Sequence, residues 1–232
     1  TMKIFSINQD AKTIKGVKYG YLSGIQYLAP TWISGYNMCA SSSAGCEKAC
    51  LYSAGRGRFN NIQHARIRKT KHFMEHRKEH MNFMRVDIGR LRRKAKREGL
   101  IPVARPNGTS DYPWEKTGVI EAEPDIQWYD YTKILKRAIL FGQGKLPKNY
   151  HLTFSRSEDN WSDCVVALKN MCNVAVVFRD KIPKSYKGYE VINGDDSDLR
   201  FLDKFKSSKT GGIVGLKAKG PAKKDKSGFV VD

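Results

Sequence analysis

The stretch Asn37-Met38-Cys39-Ala40-Ser41-Ser42-Ser43-Ala44-Gly45-Cys46-Glu47-Lys48-Ala49-Cys50-Leu51-Tyr52-Ser53-Ala54-Gly55-Arg56-Gly57 carries three of the chain's five cysteines, spaced C-x6-C-x3-C. A loop of small residues separates Cys39 from Cys46. Cys46 and Cys50 stand one helical turn apart, so a helix beginning near Gly45 turns both sulfurs to one side. A small-residue loop running into a helix can wrap closely round an anionic, thiolate-ligated centre. The N–H groups of the first turn favour its negative charge.

Three chemistries compete for these thiols. Disulfide pairing is disfavoured by their odd number, the size of the chain and the expectation that no secretory signal precedes them. Ordinary buried thiols occur singly more often than in threes. Metal ligation, as zinc or as an iron–sulfur cluster, is what clustered thiolates in a compact segment usually serve. A closed zinc site wants a fourth ligand. His64, Cys164 and Cys172 are the candidates, and none lies at a finger-like spacing. A [4Fe-4S] cluster held by three cysteines leaves one iron open, which suits this segment better. The expected metal ligands are therefore Cys39, Cys46 and Cys50, with iron–sulfur first and zinc as the alternative.

Outward from this stretch, 232 residues with 40% hydrophobic and 11% aromatic content fit one folded domain, expected over 1–216 with a basic tail over 217–232. Thr1 ahead of Met2 reads as an expression remnant. No signal-like segment or long apolar span is evident, so a soluble, cytoplasmic protein without a membrane partner is expected. The formal charge of +19 points to a polyanionic partner, nucleic acid above all, beside the plainer reading that it only maintains solubility.

Short alternating or apolar runs read as strands at 3–7, 19–28, 101–104, 126–129, 150–154, 174–178, 189–192 and 212–216. The pattern is helical, with interruptions, from Gly45 to about Arg97, and again over 132–141, 161–170 and 197–206. Alternating strands and helices imply parallel β/α units. The expected fold class is α/β: a partial or irregular (β/α) TIM-like barrel with the cysteine loop near its N-terminus. A doubly wound open sheet is the alternative.

The helical region 64–98 is the most basic. Its end, Arg90, Arg92, Arg93, Lys94, Lys96 and Arg97, reads as a phosphate-contacting surface or as a solvated face. The tail lysines Lys217 to Lys226 read as a mobile basic extension, and Trp114, Trp128 and Tyr131 are candidates for stacking on bases. His72, His76 and His80 recur every four residues without carboxylates at matching spacing, which reads as helix surface more readily than as a metal site.

Parallel barrels build their sites at strand C-termini. Polar residues following the runs are accordingly the candidate site: Asp111, Tyr131, Lys133 and Glu158 for acid, base and hydroxyl chemistry, and Asn107 and Ser110 for cofactor contacts, while Arg56, in the glycine-flanked basic loop beside the cysteines, is a candidate for a cofactor carboxylate or phosphate. Asp111, Ser157 and Asp198 also read as helix N-caps. Cys164 reads as a core thiol, and Cys172 as preceding a strand at the end away from the site; either is the fourth ligand if the fold turns differently.

The runs Leu28-Ala29-Pro30, Ser34 to Cys39, Gly45-Cys46, Cys50-Leu51 and Ala54 to Gly57, with Asn107 to Asp111 and Trp128 to Lys133 downstream, resemble a phage-encoded family of "gene product eighty-eight" type. That resemblance implies a cluster-binding partial barrel similar in layout to radical S-adenosylmethionine enzymes, with S-adenosylmethionine as a possible second cofactor. It implies no particular reaction. The spacing departs from the C-x3-C-x2-C of those enzymes, and no Gly-Gly-Glu motif follows the next strand.

Overall fold

Apolar runs bounded by glycine, proline and polar residues become strands because their side chains can be buried on both faces of a sheet. The computed structural model describes residues 2–7 and 11–232; Thr1 lies outside them. In chain order the elements are β1 (Phe5–Ile7), α1 (Ala11–Val17), β2 (Tyr21–Gln26), α2 (Ala44–Lys48), α3 (Asn60–Glu75) and α4 (Arg77–Glu98). They continue with β3 (Ile101–Arg105), β4 (Gln127–Thr132), α5 (Leu135–Gly142), β5 (Tyr150–Ser155), α6 (Trp161–Lys169) and β6 (Val174–Phe178). A hairpin of β7 (Ser185–Tyr186) and β8 (Tyr189–Asn193) precedes β9 (Ile213–Lys217).

Among the described residues the strands form one nine-stranded sheet ordered β1-β2-β3-β4-β5-β6-β9-β8-β7. From β2 to β8 every neighbouring pair is parallel, and antiparallel β1 and β7 lie at the two edges. The edges do not pair with each other, so the mixed α/β sheet is open and no closed barrel forms. From β1 to β6 the spatial order follows the chain without reversal. Right-handed crossovers in one direction put their helices on one face.

That face holds the core. Met84, Ile88, Leu91 and Ala95 of α4 pack on Leu22, Ala104, Trp128 and Leu152. Ala138 of α5 and Cys164, Ala167 and Leu168 of α6 pack on Phe154, Val174, Val176 and Ile213. Each fully buried aliphatic or aromatic side chain contributes roughly 1.5–3 kcal/mol. Trp114 and Trp128 are fully buried in this core and have no face to offer a base, which corrects the stacking expectation for both. Cys164 is a core thiol, as expected, and Cys172 is buried in the same core.

The opposite face is covered by α1, whose Gly16 lies against Leu199 and Ser23, and by irregular chain. The helix expected over 197–206 is absent; only a 3-10 turn, Arg200–Leu202, forms there. Its polar residues serve the sheet instead of a helix. Asp198 accepts from Arg105 at 2.9 Å and Tyr129 Oη at 3.4 Å, while Leu199 packs on Val103 and Tyr129. The tail also departs from the mobile extension expected. A 3-10 turn over Gly220–Lys224 follows β9, Ala222 and Val230 are buried, and Val231 bridges to Phe178. No helix among the described residues is long and apolar enough to cross a membrane.

Candidate metal centre at the strand ends

Parallel strands deliver their C-terminal residues to one edge of the sheet, and a cavity of about 230 Å³ opens there. Arg105 at the end of β3, Tyr131 and Thr132 at the end of β4 with Lys133 after it, Ser155 of β5, Val177 of β6 and Leu216 and Lys217 of β9 line it. The cysteine loop closes the remaining wall, with Cys39, Cys46 and Cys50 all in the lining. Among the described residues, no group of three or more His, Cys, Asp or Glu side chains is arranged to hold a metal ion. The thiols therefore share a cavity wall without converging on one point.

The loop is held by contacts distant in sequence. Ser43 caps α2, its hydroxyl accepting the Cys46 N–H at 3.1 Å. Glu158, after β5, accepts the Gly45 N–H at 2.7 Å through Oε1 and the Ser43 hydroxyl at 2.7 Å through Oε2. A Cβ at Gly45 would stand 2.6 Å from Glu158 Oε2, so only glycine lets this clasp close. Further along, buried Arg66 donates to the Tyr52 carbonyl at 2.7 Å and stacks on the Tyr27 and Tyr52 rings. A Cβ at Gly57 would strike that same carbonyl. At the start of the loop, Asp111 N–H donates to the Met38 carbonyl at 2.8 Å, and Cys39 Sγ lies 4.0 Å from the Thr109 carbonyl.

Several expected site residues are occupied by this framework. Asp111 accepts from Lys133 N–H at 2.8 Å and Arg137 at 2.6 Å, joining the β3 and β4 loops. Asn107 donates to Asp130 and the Tyr112 carbonyl, and its oxygen accepts from Ser110, Tyr112 N–H and Trp114. Its amide is fully engaged inside the protein, and Ser110 points to it. These residues line the cavity as structural posts. Glu158 and exposed Arg56 are not in the lining at all. Neither Asp111 nor Ser157 caps α5 or α6 directly; Ile134 and Asn160 hold those positions.

Lys133 and Tyr131 remain turned toward the cavity. Lys133 Nζ lies over the Phe229 ring at 5.5 Å. Tyr131 Oη is buried without a hydrogen-bond partner, and Arg105 stacks on its ring at 4.7 Å. Burial pushes the Cys39 thiol up to about 12, with nearby Asp111 and the other two cysteines adding to the effect. Burial also raises Cys50, while the Tyr52 N–H, Lys133 and Arg66 oppose the rise. Metal loading would therefore have to displace protons from these sulfurs. Sequence reading missed the roles of Gly45, Arg66 and Arg137, which depend on the chain folding back onto Glu158, Tyr52 and Asp111.

The basic run of α4 is not part of this site. Arg90 and Arg92 are paired with carboxylates, while Arg93, Lys96 and Arg97 are exposed. His72 and His80 meet through their Nδ1 atoms at 3.3 Å, and His80 Nε2 faces the Gln26 side-chain oxygen at 3.0 Å.

A search of curated proteins and a search of solved structures each give no match. A family model does match, that of gene product 88, over residues 5–232. With nearly its whole length matched, from β1 through the cysteine loop to the last residue, the chain belongs to the gene product 88 family.

Proposed function

We propose that Cys39, Cys46 and Cys50 ligate an iron–sulfur cluster of [4Fe-4S] type in the strand-end cavity, and that a polar substrate binds beside it. One observation carries this reading: all three cysteines of a single loop line the same cavity, at the edge where parallel α/β sheets place their sites. A cluster sets its thiolates apart by the width of its own iron–sulfide core, whereas a single zinc ion draws four ligands to one point. The segment supplies three thiolates and no fourth ligand at a finger-like spacing, so zinc is the weaker alternative. We read the open, consecutively ordered sheet as a partial barrel, which accounts for the cavity lying at its mouth.

The chain's own residues would seat and tune such a group. Glu158 and Ser43 fix the turn carrying Cys46, and Arg66 fixes the segment after Cys50. Lys133, near Cys50, offsets negative charge on the thiolates. With three cysteine ligands, such a cluster offers an electron or a Lewis-acidic iron. Lys133 is the cationic group we assign to an anionic co-ligand or cofactor carboxylate, S-adenosylmethionine being one candidate, with Arg105, paired to Asp198, in the wall beside it.

Single replacements test the ligand assignment. Cys39→Ala, Cys46→Ala and Cys50→Ala should each lose bound iron after anaerobic purification, while Cys164→Ala should retain it. Equal iron in all four variants would refute the assignment.

A further inference from the structure

A formal charge of +19 calls for an anionic partner, and two basic surfaces compete for it. The run Arg90 to Arg97 occupies the last turns of α4, which lead through Gly99 and Leu100 into the start of β3. The cysteine cavity opens beyond the other end of β3, so this run lies at the far end of the sheet. It is also partly neutralised. Arg92 pairs with Asp125 (Nε to Oδ2, 2.7 Å) and Glu123, Arg90 with Asp87 at 2.6 Å, and Lys94 with Glu98 at 3.8 Å. Ion-paired side chains bring less net charge to a phosphate and release fewer counterions on binding.

The second surface adjoins the cavity. After β9 the chain packs Ala218, Ala222 and Val230 against Ala49, next to the α2 turn that carries Cys46. Arg179 fixes this segment by donating to the Lys223 and Asp225 carbonyls. Between it and α2 lies a second cavity of about 360 Å³, which shares Ala49 with the first. Lys48, Lys224 and Lys226 line it and are exposed. The one carboxylate in its lining, Asp225, is turned to the Ser227 hydroxyl and the Val230 N–H. Three lysines thus surround a polar hollow whose acidic group already has partners.

We propose that this second cavity is a phosphate subsite for single-stranded nucleic acid, with Lys48, Lys224 and Lys226 on the phosphodiesters and the adjoining nucleotide entering the cysteine cavity. The inference deepens the reading of the cysteine cavity as the site and rests on it for where that nucleotide goes. A space of about 230 Å³, shared with the cluster, excludes a duplex, so nucleic acid reaching the thiols does so as a single strand or an extruded nucleotide. Lysine ammonium groups follow the backbone without reading sequence. Tyr131 and Phe229 line the cavity wall, each with a cation over one face, Arg105 and Lys133 respectively, so a base would stack on the face left open or on the cation itself.

The test is fluorescence anisotropy with a labelled mixed-sequence single-stranded oligonucleotide, its duplex and a poly-glutamate of similar charge, across a salt series. The single strand should bind more tightly than either competitor. The triple variant Lys48→Gln/Lys224→Gln/Lys226→Gln should weaken binding by about tenfold or more and flatten the log–log salt slope by roughly 2, as loss of three single-strand contacts requires. Arg93→Gln/Lys96→Gln/Arg97→Gln should change Kd by less than about twofold. Absence of binding, equal binding of duplex or poly-glutamate, or a larger effect from the α4 variant would each overturn the proposal. Iron content, measured in parallel, separates the two readings. A lysine variant that keeps iron and loses the strand supports the subsite, whereas iron-free wild-type protein that still binds through these lysines refutes the cluster alone.

Discussion

Glu158 receives the backbone N–H of Gly45 at 2.7 Å, across 113 residues of chain. The β5–α6 connection thereby grips the loop that holds the three cysteines, and a second contact to the Ser43 hydroxyl makes the grip two-pronged. Glu158 reads from the sequence as a catalytic acid; its geometry makes it a positioning residue. Glu158→Ala should cost about 1.5–3 kcal/mol, the range for hydrogen bonds to a charged group. Gly45→Ala should be at least as damaging, because its Cβ would meet the carboxylate. Urea denaturation checks both, and a Glu158→Ala variant as stable as wild type would contradict the clasp.

Arg137 is buried and donates to Asp111, to Glu115 at 2.8 Å and to Tyr150 Oη at 2.8 Å. Its removal leaves two carboxylates without their countercharge. Arg137→Ala should therefore destabilise by about 3–5 kcal/mol. Arg137→Lys should recover only part of this, since an ammonium cannot match the forked contact with Glu115. Denaturation midpoints of the two variants measure the difference.

His80 is fully buried with its Nε2 facing the Gln26 side-chain oxygen, and burial pushes it down to about 3, with His72 and Lys69 adding to the effect. In the unfolded chain it titrates near 6.5. Between those values the unfolded state binds a proton that the folded state refuses, so the stability His80 contributes is complete above pH ~6.5 and falls as pH drops toward 3. Asp130, raised by burial to about 7, acts in the opposite sense. Its contribution is complete below its unfolded value of 3.8 and is lost as pH rises through 7. The observable is thus a difference: wild type should lose more stability than His80→Gln on going from pH 7 to pH 4.5. Parallel stability–pH curves would contradict this.

The strands were legible wherever burial on both faces leaves an unbroken apolar run, as in Val174 to Phe178. The α3 and α4 helices were legible from their amphipathic spacing, and the shared placement of the cysteines from C-x6-C-x3-C together with the strand-end rule. What escaped was long-range. Residues 197–206 have helical spacing, yet Asp198 and Leu199 bind strand residues nearly a hundred positions earlier, and tertiary contacts override local preference. The tail is rich in lysine and reads as loose, but Ala222, Val230 and Val231 dock it. Arg92 reads as a free phosphate ligand until Glu123 and Asp125 fold against it. Asn107 and Asp111 sit where a site residue should, but their hydrogen bonds go to the scaffold.

The most direct measurement is iron and sulfide content after anaerobic reconstitution, with visible absorbance and spin resonance of the reduced protein. The account predicts about four irons and four sulfides per chain, a brown colour, a paramagnetic reduced state, and loss of all three in Cys39→Ala. Colourless protein that takes up neither iron nor sulfide with its cysteines reduced would contradict it.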